Sequence, residues 1–327
     1  MTSQRARRTL ITTVQWMLTV AVIGGMAYVL VARWSQLQKL LTFSVGTIAI
    51  IGACDIVLFA FNGLVLQALA RPFHLRMSFF EASVIAMVDA MLNYLPLKAG
   101  TVATGTILWS RHRLDPTKFA AMIAGTTILG LWVSTTLGSV LLIARDVALL
   151  WAWMLLIVPT AGVAFLVVWG VRFDGHMPDT DHAHWFIRTA NRVLDGVRAI
   201  FADLTLVALM IVYSVIRVAI VAVQLVVAFR AVSTPIGLGT GLIMSSLATA
   251  LSTLSIIPGA LGFREGGVAG VAALLGIPAT IGLAASLIER TVTVVLTAAF
   301  GIPAAVFVSR TAPWSLFMGG TEETREA

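Results

Sequence analysis

"SIIPGALGFREGG", residues 255–267, places a proline, four glycines and an adjacent Arg264–Glu265 pair inside an apolar region that runs from 238 to 276. Proline removes a backbone donor, and glycine lets the chain turn. In hydrocarbon, peptide groups freed in this way are tolerated only where protein or a watery cavity satisfies them. The stretch therefore reads as a break at Pro258 and Gly259 between two helical arms, facing a polar cavity.

A second apolar region, 78–110, is broken in the same way at Pro96-Leu97-Lys98-Ala99-Gly100. In both regions the arm after the break has about 12 residues, roughly 18 Å of helix against a hydrocarbon core of about 30 Å. Both are expected to be re-entrant hairpins that enter and leave on one side. Paired full crossings would return the chain to the same side, so only arm length separates the two readings.

The rest of the chain reads outward from these breaks. It is 59% hydrophobic and 11% charged, with a mean hydropathy of +0.96. Six unbroken apolar segments, 11–31, 43–69, 117–143, 147–170, 202–229 and 279–309, match or exceed the roughly 18–20 residues that cross a bilayer. A soluble domain is excluded. A β-barrel is disfavoured, because barrel strands alternate apolar and polar residues and these segments do not. The expected fold class is all-α, a polytopic membrane bundle of about six spans plus two hairpins. Arg5, Arg7 and Arg8 before the first segment resemble a signal peptide's opening. With a long apolar run and no small-residue cleavage site, that segment is expected to stay as a span.

Charge sets the topology. With the N-terminus inside, 14 Lys and Arg fall on the cytoplasmic side and four, Arg33, Lys39, Arg145 and Arg230, outside. Lys98, Arg217, Arg264 and Arg290 are left at membrane depth. On this parse each half runs span, span, hairpin, span, the first starting inside and the second outside. Inverted repeats with broken helices in corresponding places are a transporter pattern, with the site between the repeats. The expected organisation is a first repeat over 1–170, whose span 147–170 also opens the second repeat. A cytoplasmic linker follows over 171–201, then a second repeat over 202–310 and a cytoplasmic tail over 311–327. Within the linker, Phe186, Ala190, Val193, Leu194, Val197, Ile200 and Phe201 share one helical face, opposite Arg188, Asn191, Arg192, Asp195 and Arg198. That pattern fits a basic helix on an anionic leaflet, and equally a linker covering the protein's own surface.

In each hairpin the second arm begins at the break, so its unpaired N–H groups and partial positive charge face the cavity. Lys98, beside Gly100, and Arg264, beside Gly262, add a cation at each tip, and such a pairing attracts phosphate. Intramembrane ionisable residues point inward by default, which adds Arg217, Arg290, Asp55 and Glu81. Asp89, Glu265 and Glu289 are candidate proton or ion carriers, and Glu265 is also a candidate headgroup-binding residue beside Lys98, Gly100, Arg217, Gly262, Arg264 and Arg290. The same charges also fit internal pairing, Arg264 and Arg290 neutralising acids on neighbouring helices and only holding the bundle together.

Other motifs carry less. His176, His182 and His184 among Asp174, Asp179 and Asp181 read as a solvated loop rather than a metal site. Cys54 is the only cysteine, so neither a disulfide framework nor a cysteine metal site is available. No nucleotide-binding, HExxH or prenyl-diphosphate motif occurs, and no nucleophile sits with a base. The expectation is no cofactor, no metal and no enzyme activity. The net charge of +7 is spread between apolar runs and is not a nucleic-acid footprint.

The two breaks carry a resemblance. "NYLPLKAG" (93–100) and "PGALGFREGGVAGVAALLGIPATIGLAASLIERTVTVV" (258–295) resemble the two signatures of the lysylphosphatidylglycerol synthase transmembrane-region proteins. The resemblance implies a flippase-like protein that moves a lipid with an anionic or sugar-bearing headgroup between leaflets. A bacterial or archaeal cytoplasmic membrane and a membrane lipid substrate are expected, with lipid- or glycan-synthesis enzymes as candidate partners. The alternatives are a non-transporting membrane subunit that recruits envelope- or glycolipid-synthesis enzymes and, behind it, a membrane enzyme acting on a lipid-linked substrate. A homodimer stays open. Two departures stand out. Thr101 occupies a position that is usually acidic in the family, and "AGTTILGLWVSTT" in the following span carries no charge.

Overall fold

Helix starts in this chain are marked by short polar side chains. Ser44, Ser78, Asp115 and Asp203 each stand one residue before a helix and accept a hydrogen bond from a backbone N–H in its first turn. Pro116 follows Asp115 at the first helical position, where its missing donor costs nothing. The structure is a computed structural model that describes residues 44–94, 98–147, 149–172, 185–254, 260 and 262–311. The expected first span, 11–31, lies outside the described residues. So do Pro96, Pro258, Gly259 and the His–Asp loop of 174–184.

The described residues form ten α-helices and no strand: α1 Val45–Ala70, α2 Phe79–Leu92, α3 Ala99–His112, α4 Pro116–Ile143 and α5 Leu149–Arg172, then α6 Trp185–Ala202, α7 Leu204–Ala231, α8 Leu238–Leu254, α9 Phe263–Leu274 and α10 Ala279–Thr311. Five of them, α1, α4, α5, α7 and α10, are long and apolar enough to cross a membrane. The chain is a polytopic helical membrane protein. Each expected span from 43–69 onward falls within a few residues of one of these helices. Pro159 and Pro303 sit inside α5 and α10 without ending them. The bundle keeps its apolar surface outward, as lipid requires: on α5, Trp151, Val158 and Phe165 are each about two-thirds exposed.

The two broken regions resolve into short helices. α2 and α3 have 14 residues each, α8 has 17 and α9 has 12. At 1.5 Å per residue none reaches the roughly 30 Å of a hydrocarbon core. The packing repeats between halves. α2 lies against α1 and α3 and crosses over to α10; α8 lies against α7 and α9 and crosses over to α4. α1 and α7, which precede the broken regions, pack against each other. The repetition is incomplete: α9 packs broadly on α10, whereas α3 barely meets α4.

Two apolar clusters hold these helices. One gathers Leu69, Ile85, Leu108, Met122, Ile200 and Met210; the other gathers Leu142, Leu225, Phe229, Ile243, Ala272 and Ala285. On α7, Met210 belongs to the first and Val221 to the second, and Ser214 and Arg217 fall between them. Asp55, Gln224, Glu289 and Thr293 line one space with Arg217. α6 packs against α4 and α5, with Val197, Ile200 and Phe201 buried, and Arg198 lies 6.0 Å from the ring of Trp169. Its apolar face thus covers the protein's own surface, while Arg188, Arg192 and Asp195 stay exposed.

Close approach matters most between α2 and α3. A Cβ on Gly100 would strike the carbonyl oxygen of Asp89, a backbone atom that cannot swing aside. Gly100→Ala would ordinarily gain about 0.5–1 kcal/mol from helix propensity. Overpacking of this kind costs about 1–3 kcal/mol, so the clash decides the sign. The expected result is a lower melting temperature in detergent; a melt equal to or above the unsubstituted protein's would refute this packing.

Candidate functional site

The seam between the two clusters opens into a cavity of about 460 Å³. α1 contributes Asp55 and Asn62, which lie seven residues apart on one helical face. α7 contributes Arg217 and Gln224 by the same spacing, and α10 contributes Glu289, Thr293 and Thr297. The breaks themselves supply Tyr94, Lys98 and Thr101 from one side and Ala260 and Arg264 from the other. The four cations expected at membrane depth, Lys98, Arg217, Arg264 and Arg290, all line this one space.

These cations are of two kinds. Arg264 and Arg290 are paired crosswise: Arg264 lies 3.0 Å from Glu289, and Arg290 Nε lies 3.7 Å from Glu265. Glu289 and Glu265 are almost wholly buried. Arg290 also stands 4.9 Å over the ring of Tyr94, which ties α10 to the break after α2. Internal pairing therefore does describe Arg264 and Arg290. Lys98 and Arg217 differ. Both are exposed, and among the described residues neither has a carboxylate at ion-pair distance. Lys98 stands one residue before α3 in the left-handed region, at φ 50°, and lines the cavity from there.

The helix N-termini are less open than the sequence implies. Gly262, at φ 83°, precedes α9, and its N–H donates to Glu265 Oε2 at 2.7 Å, so that end already has an anion of its own. At α3, the Thr101 N–H donates to Asn93 Oδ1 at 3.3 Å. Asn93 also donates to Asp89 Oδ2 at 2.9 Å and thereby staples the end of α2 to the start of α3. Asp89 accepts from Thr104 as well, and neither Asp89 nor Gly100 lines the cavity. Gly262 and Glu265 stand behind Arg264 rather than on the surface of the space.

The acids that do face it are engaged, except for Glu289 Oε2, which is buried without a partner among the described residues. Asp55 is 3% exposed and accepts from Gln224 Nε2 at 2.8 Å and from Thr293 Oγ1 at 3.1 Å. Thr293 Oγ1 also lies 3.2 Å from Glu289 Oε1, so its single proton is placed to be given to either carboxylate. Asn62, Tyr94, Gln224 and Thr293 were not singled out from the sequence. For Asn62, Gln224 and Thr293 the signal was there all the same, as polar residues four or seven positions from Asp55, Arg217 or Glu289 on apolar helices, and Tyr94 stands at the first break itself. Arg217 remains as an exposed guanidinium whose donors nothing described takes up. Together with Lys98 it makes the cavity cationic and able to hold an oxyanion.

No curated protein matches the chain. The model of the family described as the lysylphosphatidylglycerol synthase TM region matches residues 8–301, which include both breaks and every residue that lines the cavity, and the chain belongs to that family.

Proposed function

We propose that the protein is a lipid flippase, holding the anionic headgroup of a membrane lipid in the cavity while the tails stay in the bilayer. Membership in the family implies a lipid-related role at the membrane. The observation that carries the finer reading is the meeting of Lys98, Arg217, Arg264 and Arg290 on one cavity, drawn from both broken regions and two long helices. Arg264 and Arg290 are fixed by their glutamates, while Lys98 and Arg217 are left for a ligand.

On this reading α2–α3 and α8–α9 are re-entrant hairpins. Their short arms support it, and the exchange of α2 onto α10 and α8 onto α4 supports an inverted repeat. Rocking of one repeat against the other would expose the cavity to each leaflet in turn. The charge asymmetry of the loops supports cytoplasmic termini in a bacterial or archaeal cytoplasmic membrane. Transport would be passive, ion-coupled or pulled by consumption of the lipid, and the protein would not be an enzyme.

Vesicles reconstituted with the protein are expected to move fluorescent phosphatidylglycerol between leaflets faster than protein-free vesicles do, followed by quenching of the outer-leaflet label. Lys98→Ala should slow that movement by roughly tenfold, the worth of a charge-assisted hydrogen bond. Vesicles with and without protein that behave alike would reject the reading.

A further inference from the structure

A narrower crevice of about 140 Å³ branches from the main cavity between α4, α7 and α8. The two spaces share Arg217 and four threonines, Thr126, Thr127, Thr249 and Thr253. Beyond Arg217 the branch is walled by Ser134 and Ser214, and it holds no acid and no second base. Ser134 is 1% exposed and Thr249 is 9% exposed, yet neither side chain has a hydrogen-bond partner among the described residues, and Thr127 has none either. These hydroxyls face the crevice and are open to whatever polar group enters it, water included. Thr126, Thr253 and Ser214 each donate to a carbonyl of their own helix and keep lone pairs free to accept.

We propose that this branch is a second subsite, taking the uncharged hydroxyl-bearing part of a headgroup whose phosphate lies at Arg217. It rests on the flippase reading and narrows it to one class: lipids with a phosphate-linked polyol or sugar. A hydroxylated ring both donates and accepts, which is what a wall of serines and threonines pairs with. The branch has room for several water-sized groups and offers an ammonium no counter-charge. Nor does the main cavity. Glu289 pairs with Arg264 through Oε1 and its other oxygen, Oε2, is buried out of reach of the space; Glu265 is held by Arg290 and the Gly262 N–H, and Asp55, 3% exposed, accepts from Gln224 and Thr293. An aminoacylated, cationic headgroup would meet Lys98 and Arg217 and no accessible, unpaired carboxylate among the described residues.

Gly130 supplies the decisive variant. It lines the branch, and a Cβ built on it meets nothing within 4 Å, so a side chain can start there without a clash and take up space in the branch. Labelled phosphatidylinositol, phosphatidic acid and lysylphosphatidylglycerol are compared in reconstituted vesicles, and the melting temperature is read with each lipid in detergent. The unsubstituted protein is expected to move phosphatidylinositol at least tenfold faster than the lysyl lipid. Gly130→Leu should remove most of the advantage of phosphatidylinositol over phosphatidic acid and leave phosphatidic acid unchanged. Thr127→Val and Ser134→Ala should each reduce movement of phosphatidylinositol by about fivefold. Equal handling of the lysyl lipid, or a Gly130→Leu effect that falls alike on all three lipids or on none, would overturn the subsite and leave the flippase reading standing. Stabilisation by phosphatidylinositol alone, lost in Gly130→Leu and without movement of any lipid, would keep the subsite and reject transport. No stabilisation and no movement would reject both.

Discussion

Glu289→Gln is expected to be the most destabilising single substitution at the cavity. Arg264 then keeps its charge in a site where its carboxylate partner, 3.0 Å away, has become a neutral amide. Breaking a buried pair from one side costs about 3–5 kcal/mol, because the remaining charge is left without compensation. That is larger than the ordinary effect of a mutation and should lower the melting temperature in detergent by roughly 10 °C. The partner substitution tests the cause. In Arg264→Gln with Glu289→Gln the orphaned charge is gone, so the double variant should lose less than the sum of the singles by at least about 1 kcal/mol. Strictly additive losses would mean that the two side chains do not interact. The same logic applies to Arg290 and Glu265 on a smaller scale, since their contact is longer at 3.7 Å and Glu265 also has the Gly262 N–H.

Much of this site was legible in the sequence because membranes narrow the choices. A charged residue in an apolar segment has few places to go, and turning inward is the usual one. Lys98, Arg217, Arg264 and Arg290 could therefore be placed in one cavity before any coordinates, and they line one. Helix ends could be placed to within a few residues where a short polar cap marked them, as at Ser44, Asp115 and Asp203. Which cations were already paired was not legible. The doublets Arg264–Glu265 and Glu289–Arg290 differ only in order, and pairing across two helices depends on how α9 lies against α10, which no local pattern encodes. The same holds at the helix N-termini. Glycine and a break announce an open end, but whether Glu265 or a ligand fills it depends on one rotamer. The hydroxyl branch was hidden for another reason. Thr126, Thr127 and Ser134 on α4 read as ordinary residues of an apolar span until α7 and α8 close around them.

Arg217→Ala separates a ligand-holding cation from a structural one. It lies in the middle of α7, where an unpaired charge is costly to keep, and no carboxylate among the described residues repays that cost. A cation that braced the bundle would destabilise it when removed, as expected for Glu289→Gln. Arg217→Ala is instead expected to melt within about 0.5 kcal/mol of the unsubstituted protein, or above it, because an exposed side chain with no partner has little packing to lose. Movement of an anionic lipid should nevertheless fall about 10- to 100-fold, since a guanidinium bonded to a phosphate is worth about 1.5–3 kcal/mol. Arg217→Lys should recover only part of the rate, because an ammonium keeps the charge but loses the planar two-donor grip. The loss should also shrink as salt rises, since screening weakens the attraction that the arginine supplied. A large fall in stability with transport unchanged would make Arg217 a brace and move the phosphate elsewhere. Unchanged stability with reduced transport is the signature of a site kept charged for its ligand, at the expense of a more stable fold.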